Sequence, residues 1–230
     1  SNGQLDLFAT PEVGVDTDDS GSDTFDSKLA YVGLDSDMGA LSVGRQSHPF
    51  TDNIGGKTSI FNVYGGGSDW NYGTRSSNSM KFSTTQSGLT LDTIGIVDGS
   101  STNTNAFDEF EVTISTKLLG SDISVGYADD VNSDISYWGV SGSTDLGALT
   151  VSSSYTIYDA ATDKYGLEAT ASYSIFSVGY GDKEGTGLAY TAGVSHDLND
   201  SVSVYAEGEM TDLDSGSDTT SWSIGSKFTF

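Results

Sequence analysis

The sequence predicts an all-β fold, because apolar and polar residues alternate along most of the chain. Near the C-terminus, Trp222 and Ile224 alternate with Ser221 and Ser223, and the same pattern returns in segment after segment. A period of two places apolar side chains on one face of a strand and polar side chains on the other. No segment sustains the i, i+3, i+4, i+7 spacing of an amphipathic helix. The length of these alternating runs and the order of the connections between them indicate which all-β architecture the chain forms.

The alternating runs give about 14 strands, with 16 or 12 as alternatives. Many have about 9 to 12 residues, more than the ~5 to 6 usual in soluble sheets and close to the ~9 to 11 of tilted strands that cross a bilayer. In the segment 24–47, two alternating sets of residues could form the apolar face. One set begins with Leu29 and Tyr31, and the other begins with Ala30 and Val32. The expected strands are 4–15, 24–35, 40–47, 77–86, 88–98, 106–118, 122–130, 134–144, 147–159, 163–173, 175–182, 187–197, 201–212 and 220–230.

The connections between these runs alternate between short and long. The short set is 35–39, 86–88, 119–122, 145–147, 174 and 197–201, and the long, acidic set is 16–26, 48–76, 98–105, 129–134, 159–163, 182–187 and 212–219. In an antiparallel meander, alternate connections lie at opposite ends, and tight turns opposite long loops are typical of an outer-membrane barrel. We therefore expect 1–230 to form one transmembrane antiparallel β-barrel domain, with both termini at the short-turn, periplasmic end.

The alternative is a soluble β-sandwich, whose strands also alternate. Its apolar faces would meet in a dry core and would need large side chains on both inner faces. The polar faces here are rich in Ser, Thr, Gly and Glu. Such faces suit a water-filled lumen better than a dry interface, so the barrel is favoured.

Composition excludes several classes of function. The 230 residues include 33 acidic and 9 basic residues, for a net charge of −24, and no Cys. Nucleic acid is not expected as a partner, since its binding requires Lys and Arg at phosphates. Thiol chemistry and disulfides are excluded, and no apolar run reaches the ~18 to 20 residues of a membrane-spanning helix.

Enzyme and metal signatures are equally scarce. His48 and His196 lack metal-ligand spacing, and each follows a Ser that an extended strand would point to the opposite face. The Gly-x-Ser-x-Gly nucleophile motif is absent. We expect no enzyme, no cofactor and no dedicated metal site. Acidic loops at 129–130 and 212–218 could hold Ca²⁺ or Mg²⁺ loosely, although they lack the pattern of a calcium loop.

Three stretches resemble the Gram-negative general porins. Residues 28–34 (KLAYVGL) with 38–46 (MGALSVGRQ) resemble the hairpin that leads into the porin constriction loop, and 75–82 (RSSNSMKF) resemble the strand that leaves it. The chain also ends in an aromatic strand with Phe230, the form of the porin assembly signal.

The resemblance implies an outer-membrane porin for passive diffusion of small hydrophilic solutes and ions, with lipid and lipopolysaccharide around it and a homotrimer as its assembly. General porins usually have ~16 strands, so this chain resembles a shortened member. One strand alone precedes the porin-like hairpin, which makes 48–76 the second long connection.

The connection 48–76 is predicted to fold into the lumen as a constriction loop. Its 29 residues exceed an ordinary hairpin connection, and its apolar residues, among them Ile54, Phe61 and Trp70, would otherwise meet water. A surface loop packed outside the lumen is the alternative. The resemblance implies a basic wall facing loop acids, which places Lys28, Arg45, Arg75 and Lys81 on the wall and Asp52 and Asp69 on the loop.

Two conditions qualify the constriction site. Simple parity from Leu41 and Val43 points Arg45 outward, so an inward Arg45 requires a bulge or a position above the lipid band. For each of the four basic residues, the alternative to a position on the constriction wall is a position in water at the rim of the barrel.

Charge predicts a preference for cations. Five acids lie on polar faces and are expected to line the lumen: Glu109, Glu111, Glu168, Glu207 and Glu209. Acidic long loops at one mouth would concentrate cations there. Two other functions remain open: a substrate-specific, oligosaccharide-type channel lined by Tyr137, Tyr158 and Tyr205, and a non-conducting structural or adhesive barrel.

Overall fold

Fourteen antiparallel strands form one sheet in chain order, as the sequence predicts. The computed structural model describes residues 5–15, 25–70, 73–97, 107–131 and 133–229. The strands are β1 Asp6–Val15, β2 Phe25–Ser36, β3 Gly39–Ser47, β4 Arg75–Gln86, β5 Leu89–Ile96, β6 Glu109–Leu118, β7 Ser121–Asp130, β8 Ile135–Leu146, β9 Leu149–Asp159, β10 Lys164–Tyr173, β11 Phe176–Lys183, β12 Gly187–Asn199, β13 Val202–Leu213 and β14 Thr219–Phe228. Between β3 and β4 lie a short helix, α1 Pro49–Asn53, and a 3-10 turn, Gly55–Lys57.

Tight turns and long connections alternate, also as predicted. Two-residue turns join β2 to β3, β4 to β5, β6 to β7, β8 to β9, β10 to β11 and β12 to β13. At the β4–β5 turn, Ser87 and Gly88 both have positive φ (52° and 81°), which matches the right-handed twist of the paired strands. The other end of the sheet therefore carries the connections of three or more residues, which run from three residues between β11 and β12 to the segment 48–74 between β3 and β4.

The apolar face of the sheet is exposed, whereas the opposite face is polar and partly covered. On the apolar face, Trp222 and Ile224 are each 75% exposed. On the polar face, small and hydroxylated residues such as Ser124, Ser154 and Thr156 are buried. A sheet that exposes its large side chains and buries its hydroxyls is inverted relative to a soluble sandwich, as lipid on the outside requires.

The registers settle the competing faces of β2. Gly33 pairs with Ser42 of β3, and Ser42 pairs in turn with Lys81 of β4. The set that contains Gly33 therefore lies on the polar face. Val32 and Leu34 lie on the other face, where they are 53% and 42% exposed.

The sheet must curve around the segment between β3 and β4. Asn53 bonds to Asp92 of β5, and Asn62 bonds to Glu207 of β13. In a flat sheet, eight strand spacings would separate those strands by ~38 Å, whereas the nine residue steps from Asn53 to Asn62 span at most ~32 Å when fully extended. The Asp92 and Glu207 side chains stand roughly perpendicular to the sheet, so they add little to that reach. The segment contains the 3-10 turn, which shortens it further, so β5 and β13 must bend toward each other.

The apolar core lies between this segment and the polar face of the sheet. Phe50, Ile54, Ala128 and Tyr137 form a buried cluster, with Trp70, Ile135 and Tyr158 packed against it. Among the described residues, no helix is long and apolar enough to cross a membrane.

Candidate functional site

The loop between β3 and β4, residues 48–74, packs its first part on bare backbone of β7 and β8. Gly126 and Gly139 are register partners on these strands. A Cβ on Gly139 would lie 2.8 Å from both Ile54 Cγ2 and Phe50 Cζ. Phe50 and Ile54 are 1% and 0% exposed, so two glycines create the recess that receives α1.

Polar side chains of β5, β6 and β8 fix the same part of the loop. The backbone N–H of Phe50 donates to Glu111 Oε2 at 2.9 Å. Asn53 Nδ2 donates to Asp92 Oδ2 at 3.0 Å, and Ser141 Oγ donates to the Asn53 carbonyl at 2.7 Å. Each bond joins residues that are 39 to 88 positions apart in the chain.

Glu168 of β10 anchors the middle of the loop. Its Oε1 accepts from the backbone N–H of Ser68 at 2.7 Å, and its Oε2 accepts from Thr58 Oγ1 at 2.7 Å. Glu168, Ser68 and Thr58 are all buried. One carboxylate therefore joins two separate segments of the loop to the wall.

Two further glutamates of β13 anchor the segment 62–65. Glu207 Oε1 accepts from the backbone N–H of Asn62 at 2.7 Å and from its side-chain amide at 2.9 Å, and Oε2 accepts from Val63 N–H at 2.9 Å. Glu209 Oε2 accepts from Gly65 N–H at 3.0 Å. The loop is thus held from β5 to β13.

The acids expected to line the lumen therefore hold the loop in the structure. Glu111, Glu168, Glu207 and Glu209 accept hydrogen bonds from loop groups. Glu109 lies beside His48 at the loop root. Glu109, Glu111, Glu168 and Glu207 are only 1%, 1%, 3% and 6% exposed, so an ion passing through the lumen does not meet these four carboxylates directly.

Of the predicted basic wall, Lys81 lies opposite a loop acid. Its Nζ is 4.0 Å from Asp52 Oδ2 and donates to the carbonyl of Ser47 at 3.4 Å. Arg75 begins β4 and pairs with Ser47 in the β3–β4 register. These positions are at the loop root, as the resemblance implies.

Lys28 and Arg45 lie elsewhere. Lys28 forms a 2.8 Å ion pair with Asp26 in an exposed position. Arg45 pairs with Ala30 and donates to the Ser27 carbonyl at 3.0 Å. The β3–β4 register shifts between Gly44 and Gln46, and this bulge leaves Arg45 in register with the outward-facing set of β2.

Asp69 meets a lysine that sequence reasoning missed. Lys183 Nζ donates to the carbonyls of Gly67 and Asp69 at 3.1 Å each, and lies 4.4 Å from the centre of the Trp70 ring. Ser154 Oγ donates to Asp69 Oδ1 at 2.7 Å. Lys183 ends β11, and only the folded path of the loop brings it to residues more than 110 positions away.

Burial controls the protonation of the two loop acids. Burial and the nearby charge of Glu168 raise the pKa of Asp69 to about 7, although the Ser154 hydroxyl and Lys183 oppose that rise. Burial also raises the pKa of Asp52, against the opposing charge of Lys81. Both carboxyls therefore carry charge less readily than an exposed aspartate.

His48 forms a buried polar cluster at the loop root. Its Nδ1 is 2.6 Å from Glu111 Oε1 and 3.4 Å from Glu109 Oε1, and its Nε2 is 2.8 Å from Ser76 Oγ. Burial disfavours the imidazolium, but the two carboxylates outweigh this and raise the pKa of His48 to about 9. No local pattern of the sequence indicates this cluster, since 63 positions separate His48 from Glu111.

The sequence also predicts an assembly signal at the C-terminus and, as an alternative function, a sugar channel lined by tyrosines. Phe230, the assembly signal, lies outside the described residues. Tyr137 and Tyr158 do not form an open sugar-binding ladder, because Tyr137 is 7% exposed and Tyr158 stacks on Trp70 with ring centres 4.9 Å apart. Both tyrosines pack beneath the loop.

Residues 2–227 match the family model of Gram-negative porins. Among curated proteins, none matches the chain significantly. Solved structures that resemble it include outer-membrane proteins. OmpF of Salmonella typhi, in complex with daunomycin, has a TM-score of 0.80 at 15% identity, over 97% of this chain and 85% of that one.

Two other solved structures are similar to this chain over most of its length. A loop-deletion mutant of OmpT from Vibrio cholerae has a TM-score of 0.75 at 16% identity, over 96% of this chain and 85% of that one. A mutant of Rh. blastica porin has a TM-score of 0.69 at 18% identity, over 98% and 85%. The fold is therefore a transmembrane β-barrel of the outer membrane, and the chain belongs to the Gram-negative porin family.

Proposed function

We propose that this porin is a general diffusion channel for small hydrophilic solutes and ions, that its lumen is narrowed by the loop 48–74, and that it prefers cations. The observation that carries the proposal is the row of hydrogen bonds from β5 to β13 that fixes the loop against the polar face of the wall. A loop held at so many points is a permanent narrowing rather than a mobile lid.

The path for solutes lies between the anchored loop and the polar faces of β1–β4 and β14. Lys81 and Asp52, whose charged atoms are 4.0 Å apart, border that path at the loop root. Ser83 and Ser221 share its polar face by register. Hydroxyls and one close charge pair suit hydrated ions and neutral solutes of no special shape.

Cation preference rests on the net charge of −24 and on the acidic long connections at one mouth. Because four glutamates are buried beneath the loop, selectivity comes from the mouth rather than from a lumen lined with carboxylates. A surface field of one sign concentrates counter-ions at the entrance. Its effect declines above ~0.1 M salt, where charges are screened within ~10 Å.

Reversal potentials in planar bilayers test this function. Purified protein in a KCl gradient should give steady conductance and a reversal potential of cation-selective sign that shrinks as both salt concentrations rise. A potential of anion-selective sign would refute the preference, and silence in every bilayer would refute the channel in favour of a structural or adhesive barrel. Block by neutral oligosaccharides would instead support a substrate-specific channel.

A homotrimer is proposed as the assembly. A trimer form of Vibrio cholerae OmpT resembles this chain with a TM-score of 0.73. Light scattering of the protein in detergent should give three chains per particle, whereas a mass of one chain would contradict the trimer.

A further inference from the structure

The buried cluster at the root of the loop brings three metal-ligating side chains together. His48 lies between β3 and α1, whereas Glu109 and Glu111 are alternate residues of β6 that point to the same face. One donor atom from each lies within 4.8 Å of the others. His48, Glu109 and Glu111 are 0%, 1% and 1% exposed, so water does not screen them.

Glu109 supplies an independent observation. Both of its carboxylate oxygens are buried, and neither has a hydrogen-bond partner among the described residues. The cationic group beside it is His48, whose Nδ1 lies 3.4 Å from Oε1. Glu111 differs, since it accepts from the backbone N–H of Phe50 and bonds to His48. In the metal-free protein His48 lies beside this carboxylate at 3.4 Å but donates to neither of its oxygens. A buried carboxylate without donors is costly, and a metal ion bound to it would fill the position that no donor occupies.

We propose that His48, Glu109 and Glu111 form a binding site for one divalent transition-metal ion, best matched by Zn²⁺, that ties the loop root to β6. One imidazole nitrogen and two carboxylate oxygens are typical Zn²⁺ donors, and a water molecule would complete four-coordination. Ca²⁺ and Mg²⁺ fit less well, because both prefer oxygen donors throughout.

The geometry requires one small adjustment. Two ligand atoms of a tetrahedral Zn²⁺ lie ~3.3 Å apart when each bond is ~2.0 to 2.1 Å. His48 Nδ1 and Glu111 Oε1 are 2.6 Å apart and joined by a hydrogen bond. The ion therefore takes the place of the proton in that hydrogen bond, the proton is released to solvent, and the two atoms move about 0.7 Å further apart. Ser76 Oγ, 2.8 Å from His48 Nε2, fixes the far side of the ring, as outer partners of metal-bound histidines do.

Calorimetry with Zn²⁺ alone tests the site. Metal-stripped wild-type protein, folded in detergent at about pH 8, should bind one Zn²⁺ per chain with a Kd of about 10 μM or tighter, and Glu109→Gln should bind at least tenfold more weakly. Glu184→Gln is the matched control, because Glu184 is exposed and its carboxylate accepts from Tyr165 N–H of β10. It should bind as the wild type does.

Three results would overturn the site: no Zn²⁺ bound by the wild type, equal affinity in Glu109→Gln, or equal weakening in both variants. A measurement on the wild type alone covers the case in which Glu109→Gln does not fold. Co²⁺ should give the visible absorption of a four-coordinate ion with nitrogen and oxygen donors. A spectrum identical to that of hydrated Co²⁺ would overturn the site as well. None of these readouts depends on conductance, so the channel proposal is tested separately.

Discussion

The wall from β5 to β13 and the wall formed by β1–β4 and β14 have the same alternating pattern but different partners on their polar faces. In the first, Glu111, Glu168, Glu207 and Glu209 accept hydrogen bonds from the loop. On the polar face of the second, Lys81 lies 4.0 Å from the loop acid Asp52. The difference teaches that a polar strand face has two uses in this barrel, as an anchor for a loop and as a border of the water path.

The comparison predicts that the largest loss of stability comes from substituting a glutamate that holds the loop. Glu168→Ala removes two hydrogen bonds to a buried carboxylate; the Ser68 N–H then has no acceptor, whereas the Thr58 hydroxyl keeps the Gly55 carbonyl at 3.0 Å. The free energy of unfolding should fall by about 4 kcal/mol, at ~1.5 to 3 kcal/mol for each hydrogen bond to a charged group. Urea unfolding followed by Trp fluorescence measures the change, and single-channel current should become noisier as the loop loosens.

Glu168→Gln is the matched variant. Its amide keeps one oxygen for the Ser68 N–H and can donate its NH₂ to the Thr58 hydroxyl. It should lose less than half as much stability as Glu168→Ala. Equal losses in both variants would mean that the loop is not held by these two hydrogen bonds.

Asp69, which lies in the loop against the wall from β5 to β13, should make the free energy of unfolding depend on pH. Because its pKa rises from 3.8 to about 7 on folding, the folded protein holds a proton that the unfolded chain has lost. The associated stability is complete below pH ~4 and is lost as the pH rises through about 7.

Asp69→Asn should therefore flatten the decline in unfolding free energy between about pH 5 and 8, by about 3 kcal/mol relative to the wild type. Urea unfolding at a series of pH values measures this slope. Asp145→Asn, at an exposed acid that accepts from its register partner Thr150, is the control and should leave the slope unchanged. A wild-type slope in Asp69→Asn would assign the titration to another group.

The glycine recess should tolerate no side chain. In Gly139→Ala, the new methyl group would lie 2.8 Å from Ile54 and Phe50, so α1 must move, at a cost of about 2 kcal/mol. Gly142→Ala in the same strand is the control, since its Cβ would have its nearest neighbour at 3.5 Å. Thermal unfolding of both variants checks the difference, and equal midpoints would show that α1 does not rest on this recess.

The smallest effect is expected from a substitution on the wall formed by β1–β4 and β14, which borders the water path. Lys81→Gln removes the cation that opposes Asp52, so the reversal potential in a KCl gradient should become more cation-selective by a few millivolts without a change in stability. Lys117→Gln, at an exposed lysine paired with Asp122 at 3.1 Å, should leave the potential unchanged. A shift toward anion selectivity in Lys81→Gln would place the path elsewhere.

Sequence alternation predicted the fourteen strands and their turns, because side-chain direction along a strand is a local property. It left the face of β2 open, and only the pairing of Gly33 with Ser42 decides it. Parity correctly pointed Arg45 outward. The resemblance supplied the contact between Lys81 and the loop root, which no local pattern contains.

The functions of the glutamates could not be predicted in the same way. Alternation places Glu168 and Glu207 on a polar face, but whether that face meets water or a loop depends on groups 100 to 145 residues away. The contact of Lys183 with Trp70 and the cluster around His48 have the same long-range origin. Such contacts follow from the path of the loop.

One cross-link tests most directly whether the loop lies against the inner wall. A Cβ on Gly181 of β11 would lie 3.0 Å from Ser68 Cβ, within about half an ångström of the ~3.5 to 4.5 Å between Cβ atoms in disulfides. The chain has no Cys of its own, so Ser68→Cys with Gly181→Cys reports on this pair alone, and Ser68→Cys with Gly142→Cys is the control. We expect the first pair to form an intramolecular disulfide in the outer membrane under mild oxidation, with conductance retained, and the control pair to stay reduced. Free thiols in the first pair, with the thiol introduced at position 68 open to an external maleimide that cannot enter the pore, would contradict an inward loop.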